Sequence, residues 1–366
     1  MTYARFAGIG SYLPEKIITN KDLEKIMDTS DEWIRERTGI KCRHIASDDE
    51  KTSSLGLKAA KRAMIDASIK PEDVDLIIVA TTTPDQIFPS TACLIQHQLG
   101  IKGCAAFDIQ AVCTGFVYAL DVANRFIQTK GASTALVIGA ETLSRIIDWK
   151  DRSTAVLFGD GAGCVVLKAS DNPGIISSHS HADGQYADLL QVRSGISAGY
   201  DEVKSGGAFI EMNGNAVFKR AVATFDKIAR EAVVDIEGGL GGIDWFIPHQ
   251  ANMRIIKAAA KTIQKQDISK IIDPVMVSRT GAKLLEQNAI NAYKEYLFPQ
   301  ADLITPNIFE ANLLTDMNIK CKKDIEESGK IIKGYGANAV LIKGGGLSDL
   351  KGKDFFIDKN GQQSWL

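Results

Sequence analysis

The sequence predicts an α/β protein built on parallel strands, and three observations carry that prediction. Short apolar runs alternate with helix-period segments through most of the chain, the pattern of strands joined by crossover helices. Hydrophobic residues make up 45% and charged residues 24% of the composition, ordinary for a globular chain with a sizeable core and incompatible with wholesale disorder. The 366 residues correspond to two or three domains, or one large α/β unit, at roughly 100–200 residues each.

The N-terminal run MTYARFAGIGSYLPEK reads as a first strand ending at a Pro-containing turn, without the n-region and h-region of an export signal. SLGLKAAKRAMIDASI (54–69) sets Leu55, Ala59, Ala63 and Met64 at helical spacing. VDLIIVATTTPD (74–85) is a buried strand running into a loop, and GCAAFDI (103–109) a strand followed by a helix over 115–128. TALVIGAET (134–142) and AGCVVLKAS (162–170) supply two more strands. A stretch rich in Gly, Ser and Asp (171–207) interrupts the alternation. It resumes with an amphipathic helix over 215–234, a strand at DWFIPHQ (244–250) and a helix over 251–265. EDVDLIIVATTTPD and GGIDWFIPHQAN share an order of acidic residue, strand and polar loop, an echo that fits a duplicated βα half as well as chance.

The character changes near residue 266. Strands are expected in IIDPVMV, ADLITPN and NAVLIKGGG, with helices over 283–297, 309–316 and 323–334 and a closing hairpin in FFIDKNGQQSWL. No Gly/Ser- or Pro-rich linker marks the junction.

Charge excludes some partners. Lys and Arg number 43 against 45 Asp and Glu, a net of -2, which gives no reason to expect nucleic acid or membrane adhesion. No apolar run approaches the roughly 18 residues of a transmembrane helix. Six dispersed cysteines (42, 93, 104, 113, 164 and 321) form no CxxC pair, so reduced thiols in the cytoplasm and no structural zinc are expected.

Two residues stand out chemically. Cys113 follows a strand at the expected start of a helix, where unpaired N–H groups and the helix dipole favour a thiolate. Taken alone, such a cysteine is more often a buried structural thiol than a nucleophile. His249, in DWFIPHQAN, lies at the expected C-terminal end of a strand, where open α/β sheets carry their ligand chemistry. A PHQ loop suits a general base, although a hydrogen-bonded loop histidine is equally ordinary. Asn252 could donate to the same site. FGDGAG (158–163) spells no phosphate loop and reads as a tight turn between two strands.

DTSDEWIRERTGI (28–40), FPSTAC (88–93), the segment around Cys113, FGDGAG and PHQANMRII (248–256) resemble β-ketoacyl-acyl carrier protein synthase III. The resemblance runs from residue 1 to about 266. It implies a thiolase-like α/β fold of duplicated βα halves, with an acyltransferase activity that begins fatty-acid synthesis. By that resemblance Cys113 is the nucleophile that takes an acyl group from acyl-CoA. His249 assists decarboxylation of a malonyl thioester on acyl carrier protein. Trp33 and Arg152 sandwich the CoA adenine, and Thr29, Arg37 and Asn252 contact CoA. Phe88 enters a partner subunit's acyl pocket, implying a homodimer, and Lys219 and Arg254 meet the acidic carrier protein. Coenzyme A thioester is then a substrate, with no resident cofactor and no metal. Without the family, Trp33 is equally a packed aromatic, and Arg152, Lys219 and Arg254 are equally solvated charges.

The sequence departs from that family after residue 266. It holds no GNTS-type loop, the source of the family's catalytic asparagine, and no closing glycine segment of the kind that completes the oxyanion hole. Residues 271–366 instead resemble the middle of hydroxymethylpyrimidine/phosphomethylpyrimidine kinase, a ribokinase-like enzyme, through DPVMVSRTG, LITPNIFEANLLT and AVLIKGG. That resemblance sets Asp273 and Glu310 near a nucleotide and metal, in a segment lacking the kinase's pyrimidine-binding region and GTGC-type loop. The expected organisation is an N-terminal thiolase-like half (1–170), an incomplete C-terminal half (171–266) and a partial ribokinase-like α/β segment (267–366). The expected function is synthase III activity. The alternatives are an impaired fusion or remnant that only binds CoA or carrier protein, and a kinase fragment.

Overall fold

Five apolar strands and the helices that cover them make the frame of the N-terminal region. The computed structural model describes residues 2–264, 271–274, 276, 287–344 and 353–366. Two units separate, one of residues 1–235 and 248–262, the other of residues 236–247 and 263–366. The expected junction at 266, the start of the helix at 283 and the glycine-rich end of NAVLIKGGG lie outside the described residues.

In the first unit, β1 (Tyr3–Tyr12) is followed by β2 (Lys16–Thr19), α1 (Asn20–Leu23), α2 (Asp31–Thr38), β3 (Cys42–Ile45) and α3 (Thr52–Asp66). Then come β4 (Leu76–Ala80), α4 (Thr91–Gln98), β5 (Ala105–Ile109), α5 (Gly115–Gln128), β6 (Thr134–Thr142), α6 (Arg152–Ala155) and β7 (Asp160–Ser170). The sheet order is β1-β7-β6-β4-β5. β4 pairs in parallel with both β5 and β6, while β7 runs antiparallel to β6 and β1.

Every residue of β4 is buried, because helices cover both faces of the sheet. Successive side chains point to opposite faces. Ile77 and Val79 therefore pack with Leu55, Ala59 and Ala63 of α3 and Ile95 of α4. Leu76 and Ile78 pack with Ala119, Ala123 and Ile127 of α5. α3 lies against β1 so closely that a Cβ at Gly10 would sit 2.3 Å from the Ala59 carbonyl oxygen, so no larger residue fits there.

The rest of this unit adds β8 (Leu190–Val192), α7 (Tyr200–Glu202), β9 (Ile210–Met212), α8 (Gly214–Ala232) and α9 (Met253–Gln264). β8 and β9 pair as an antiparallel ladder. The strand expected at 244–250 does not form. A strand is held by its ladder, and none of the described residues pairs with this run. Trp245 and Ile247 remain 45% and 82% exposed. FGDGAG is also not a turn between two strands: it leads from α6 directly into β7. Asp160 fixes that entry, accepting from Ala46 N at 2.7 Å, Ser144 N at 2.8 Å and Ser144 Oγ at 2.6 Å.

The second unit contains β10 (Ile271–Ile272), α10 (Gln287–Ala292), β11 (Leu303–Ile304), α11 (Ile308–Thr315), α12 (Lys322–Lys333), β12 (Ala339–Lys343), β13 (Asp354–Ile357) and β14 (Gln363–Trp365). β10, β11 and β12 are parallel. β13 and β14 form the expected antiparallel hairpin. Phe298, Ile304, Leu314, Ile332, Val340 and Phe355 belong to its core. Asn307 starts α11 through a capping box with Glu310.

Among the described residues no helix is long and apolar enough to cross a membrane, and no cluster of His, Cys, Asp and Glu could hold a metal ion.

Candidate functional site

β5 delivers the chain to a short 3-10 turn, Val112–Thr114, and α5 begins at the next residue, Gly115. Cys113 therefore stands immediately before a helix of 14 residues, with Val112 in the left-handed region at φ 48°. Its side chain borders a cavity of about 350 Å³. The ends of β4 and β6, the start of α5, and Gly161 and Gly163 of FGDGAG form the walls. Those glycines thus matter as space rather than as a phosphate cradle.

The thiolate expected from the helix start meets opposition. The residue is exposed at the surface, yet desolvation by the surrounding chain pushes the Cys113 thiol up, its own backbone N–H pulls down, and the carboxylate of Glu141 pushes up again. Glu141 lines the same cavity and nothing in the sequence pattern singled it out, since it sits in the apolar strand β6. It accepts from Thr82 N at 2.7 Å, Thr83 N at 3.1 Å and Thr83 Oγ1 at 2.5 Å. Burial nonetheless raises its pKa against those hydrogen bonds. Thr82 and Thr83 also border a second cavity of about 360 Å³ with Lys51, Asp85 and Arg145.

His249 is not among the residues lining the Cys113 cavity. It lies on the irregular run before α9 with part of its surface exposed, while burial lowers its pKa and keeps the ring neutral at pH 7. Asn252 does not aim its side-chain oxygen at a ligand: Oδ1 accepts from Ile255 N at 2.9 Å and caps α9. Helix starts place Asn there for that reason.

The nucleotide-site candidates do come together. Ser30 caps α2 by accepting from Trp33 N at 3.1 Å, which fixes Trp33 on the first turn, and Gly39 ends the helix at φ 78°. The guanidinium of Arg37 stands 4.5 Å from the Trp33 ring centroid and that of Arg152 5.1 Å. Arg152 is held by the Asp28 carbonyl at 2.8 Å. Beside them Thr29 buries a hydroxyl that has no hydrogen-bond partner among the described residues.

Phe88 projects from the loop after β4 and is 80% exposed, next to exposed Ile87. Lys219 on α8 and Arg254 on α9 are both exposed, and Arg254 covers the ring of Phe218 at 5.3 Å. In the second unit, Asp273 is engaged by Lys343 Nζ at 3.0 Å. Glu310 is buried and accepts from Asn307 N at 2.8 Å.

Comparison with known proteins finds one family toward each end of the chain, the second match starting at residue 250 within the last part of the first unit. The family model for 3-oxoacyl-[acyl-carrier-protein] synthase III matches residues 107–184, and that for phosphomethylpyrimidine kinase matches residues 250–366. The β-ketoacyl-[acyl-carrier-protein] synthase III of Thioalkalivibrio sulfidiphilus is 62% identical over 264 residues, 72% of this chain and 82% of its own length. That of Xanthomonas campestris is 56% identical over 261 residues, 71% and 80% respectively. Among solved structures, the 3-oxoacyl-[acyl-carrier-protein] synthase III of Aquifex aeolicus aligns at a TM-score of 0.66 and 46% identity, covering 73% of this chain and 83% of that one. The fold is thus the thiolase-like α/β fold of these synthases, followed by a kinase-like segment.

Proposed function

The chain belongs to the β-ketoacyl-[acyl-carrier-protein] synthase III family, and from that premise we propose that it condenses a short acyl-CoA with malonyl-acyl carrier protein to start fatty-acid synthesis. The observation that carries this reading is Cys113, a thiol before the first turn of α5 on the wall of a cavity with few polar groups.

In this mechanism the Cys113 sulfur attacks the acetyl-CoA carbonyl, the new S–C bond forms and CoA leaves with the electron pair of the broken C–S bond. His249, neutral through burial, hydrogen-bonds the malonyl thioester oxygen as carbon dioxide departs and charge develops on that oxygen. The enolate carbon attacks the acyl-Cys113 carbonyl and expels the thiolate, leaving a 3-ketoacyl carrier protein. Thr29, Arg37 and Asn252 complete the CoA site around Trp33 and Arg152. Arg152 rests 5.1 Å from the indole centroid, whereas an intercalated adenine needs two stacking gaps of about 3.5 Å each. CoA binding therefore swings Arg152 outward. The hydroxyl of Thr29, unpartnered among the described residues, is available to the ligand. Lys219 and Arg254 receive the acidic carrier protein. Phe88, with its side chain in solvent, enters the acyl pocket of a second copy in a cytoplasmic homodimer.

Turnover is expected to be slow. The missing closing glycines remove an oxyanion donor, a loss typically worth about 100–1,000-fold in rate, and the missing asparagine weakens decarboxylation further. A second reading, a remnant that binds CoA or carrier protein without product, is favoured by one observation: the run carrying His249 forms no strand. The kinase reading has less support, because Asp273 and Glu310 are already engaged by Lys343 and by backbone N–H groups.

The deciding experiment supplies labelled acetyl-CoA and malonyl-acyl carrier protein to the full chain, with Cys113→Ala as control. Slow formation of 3-ketoacyl product, lost in the variant, supports the synthase. CoA binding without product in the unaltered chain supports the remnant.

A further inference from the structure

Glu141 is a half-buried carboxylate at the end of β6 that the condensation mechanism does not use. It shares the 350 Å³ cavity with Cys113. The other residues lining that cavity, from the end of β1, β4, α5, β6 and β7, are Leu, Val, Phe, Ala and Gly. Cys113 and Glu141 are therefore its two ionisable side chains. On the other side, the threonines that hold Glu141 border a second cavity, where the charged groups are Lys51, Asp85 and Arg145.

Three strong hydrogen bonds fix the carboxylate. Thr82 N and Thr83 N donate to separate oxygens, at 2.7 and 3.1 Å, and Thr83 Oγ1 donates at 2.5 Å. Thr83 Oγ1 itself accepts from Thr142 N at 2.9 Å, so the arrangement ties the loop after β4 to the end of β6. Hydrogen bonds of this kind favour the ionised carboxylate. Burial raises its pKa against them, and once ionised the carboxylate opposes a thiolate in the cavity they share.

We propose that Glu141 is a positioning residue for the Cys113 chemistry: its carboxylate anchors residues 81–83 and keeps Cys113 a protonated thiol in the empty cavity, without opposing the uncharged acyl thioester that replaces it. This rests on the acyltransferase reading. In the transfer, Cys113 loses its proton and gains the acyl carbon, and the departing CoA sulfur takes up a proton, so the step conserves charge. The carboxylate opposes the thiolate on the way and not the acylated product. It thereby lowers the reactivity of the free thiol and leaves the acyl-enzyme as the relaxed state. The push of Glu141 on the Cys113 thiol agrees with this geometry.

The test is the pH dependence of Cys113 alkylation by iodoacetamide, followed by mass spectrometry of the Cys113 peptide in the full chain. Glu141→Gln removes the charge and keeps the shape. Its alkylation midpoint is expected about one pH unit below that of the unaltered chain, with about tenfold faster labelling below both midpoints. Glu141→Asp restores the charge and moves the midpoint back upward. A folded Glu141→Gln chain with an unchanged or higher midpoint overturns the proposal. A second measurement needs no change at Glu141. The carboxyl ¹³C signal of Glu141 should show an inflection at the Cys113 midpoint that disappears in Cys113→Ala, and a signal indifferent to Cys113 overturns the proposal. Neither readout depends on product formation. A chain that makes no 3-ketoacyl product yet shows both effects sinks the acyltransferase reading alone.

Discussion

The runs LIIVA in β4 and DWFI before His249 are both short, apolar and followed by a polar loop, yet they end in different states. β4 is buried at all five positions between β5 and β6. The second run pairs with no strand among the described residues and leaves Ile247 82% exposed. The difference lies in the neighbours. A strand gains its hydrogen bonds from an adjacent ladder and its burial from the layers above and below, so apolar character alone does not make one. The consequence is chemical as well as structural. Cys113 is held on a covered sheet between β5 and α5, while His249 rides on a segment that lacks such support.

Removing side chains in the two regions sharpens this contrast. Ile78, fully buried between the sheet and α5, should cost about 2–5 kcal/mol when changed to Ala. Urea unfolding followed by circular dichroism measures that loss. A smaller effect belongs to Asp160, whose carboxylate collects three donors at the entry to β7. Asp160→Asn turns an amide N–H₂ toward those donors and should cost about 1–3 kcal/mol, readable in the same assay.

Glu50 makes the comparison pH-dependent. Against burial that would raise it, hydrogen bonds from Lys58, Tyr12 and Ser47 hold its carboxyl down at about 2, from an ordinary 4.5. A carboxyl held below its unfolded value stabilises the fold above pH 4.5 and gives that stability up as pH falls toward 2. Glu50→Gln should flatten the stability profile across that window, and parallel profiles for the two chains would exclude the effect. The smallest change is expected at Ile247→Ser, within about 0.5 kcal/mol. A large loss there would mean that the exposed run is covered in solution, and the contrast with β4 would collapse.

Much of the site was legible in the residues. The strand expected over 103–109 and the helix expected over 115–128 placed Cys113 at a helix start, and the motif around Trp33 identified a group that the fold gathers with Arg37 and Arg152. Glu141 escaped notice because a lone carboxylate in the apolar run TALVIGAET carries no motif. Its meaning comes from Thr82 and Thr83, which are nearly sixty residues away in sequence and meet it only when β4 pairs with β6. Asn252 was read as a possible donor to the site, and the structure adds a second use for it, its Oδ1 capping α9 by accepting from Ile255 N.

By itself, the sequence determined the local periodicities, the place of Cys113 before α5, the membership of the family and the change of character near residue 266, because each is written in neighbouring residues. The tertiary structure decided which apolar runs become strands, that Gly161 and Gly163 wall a cavity, and that Glu141 borders the same cavity as Cys113. Those outcomes depend on partners brought together from distant parts of the chain, through ladders, burial and charge acting across space, and no local pattern specifies them.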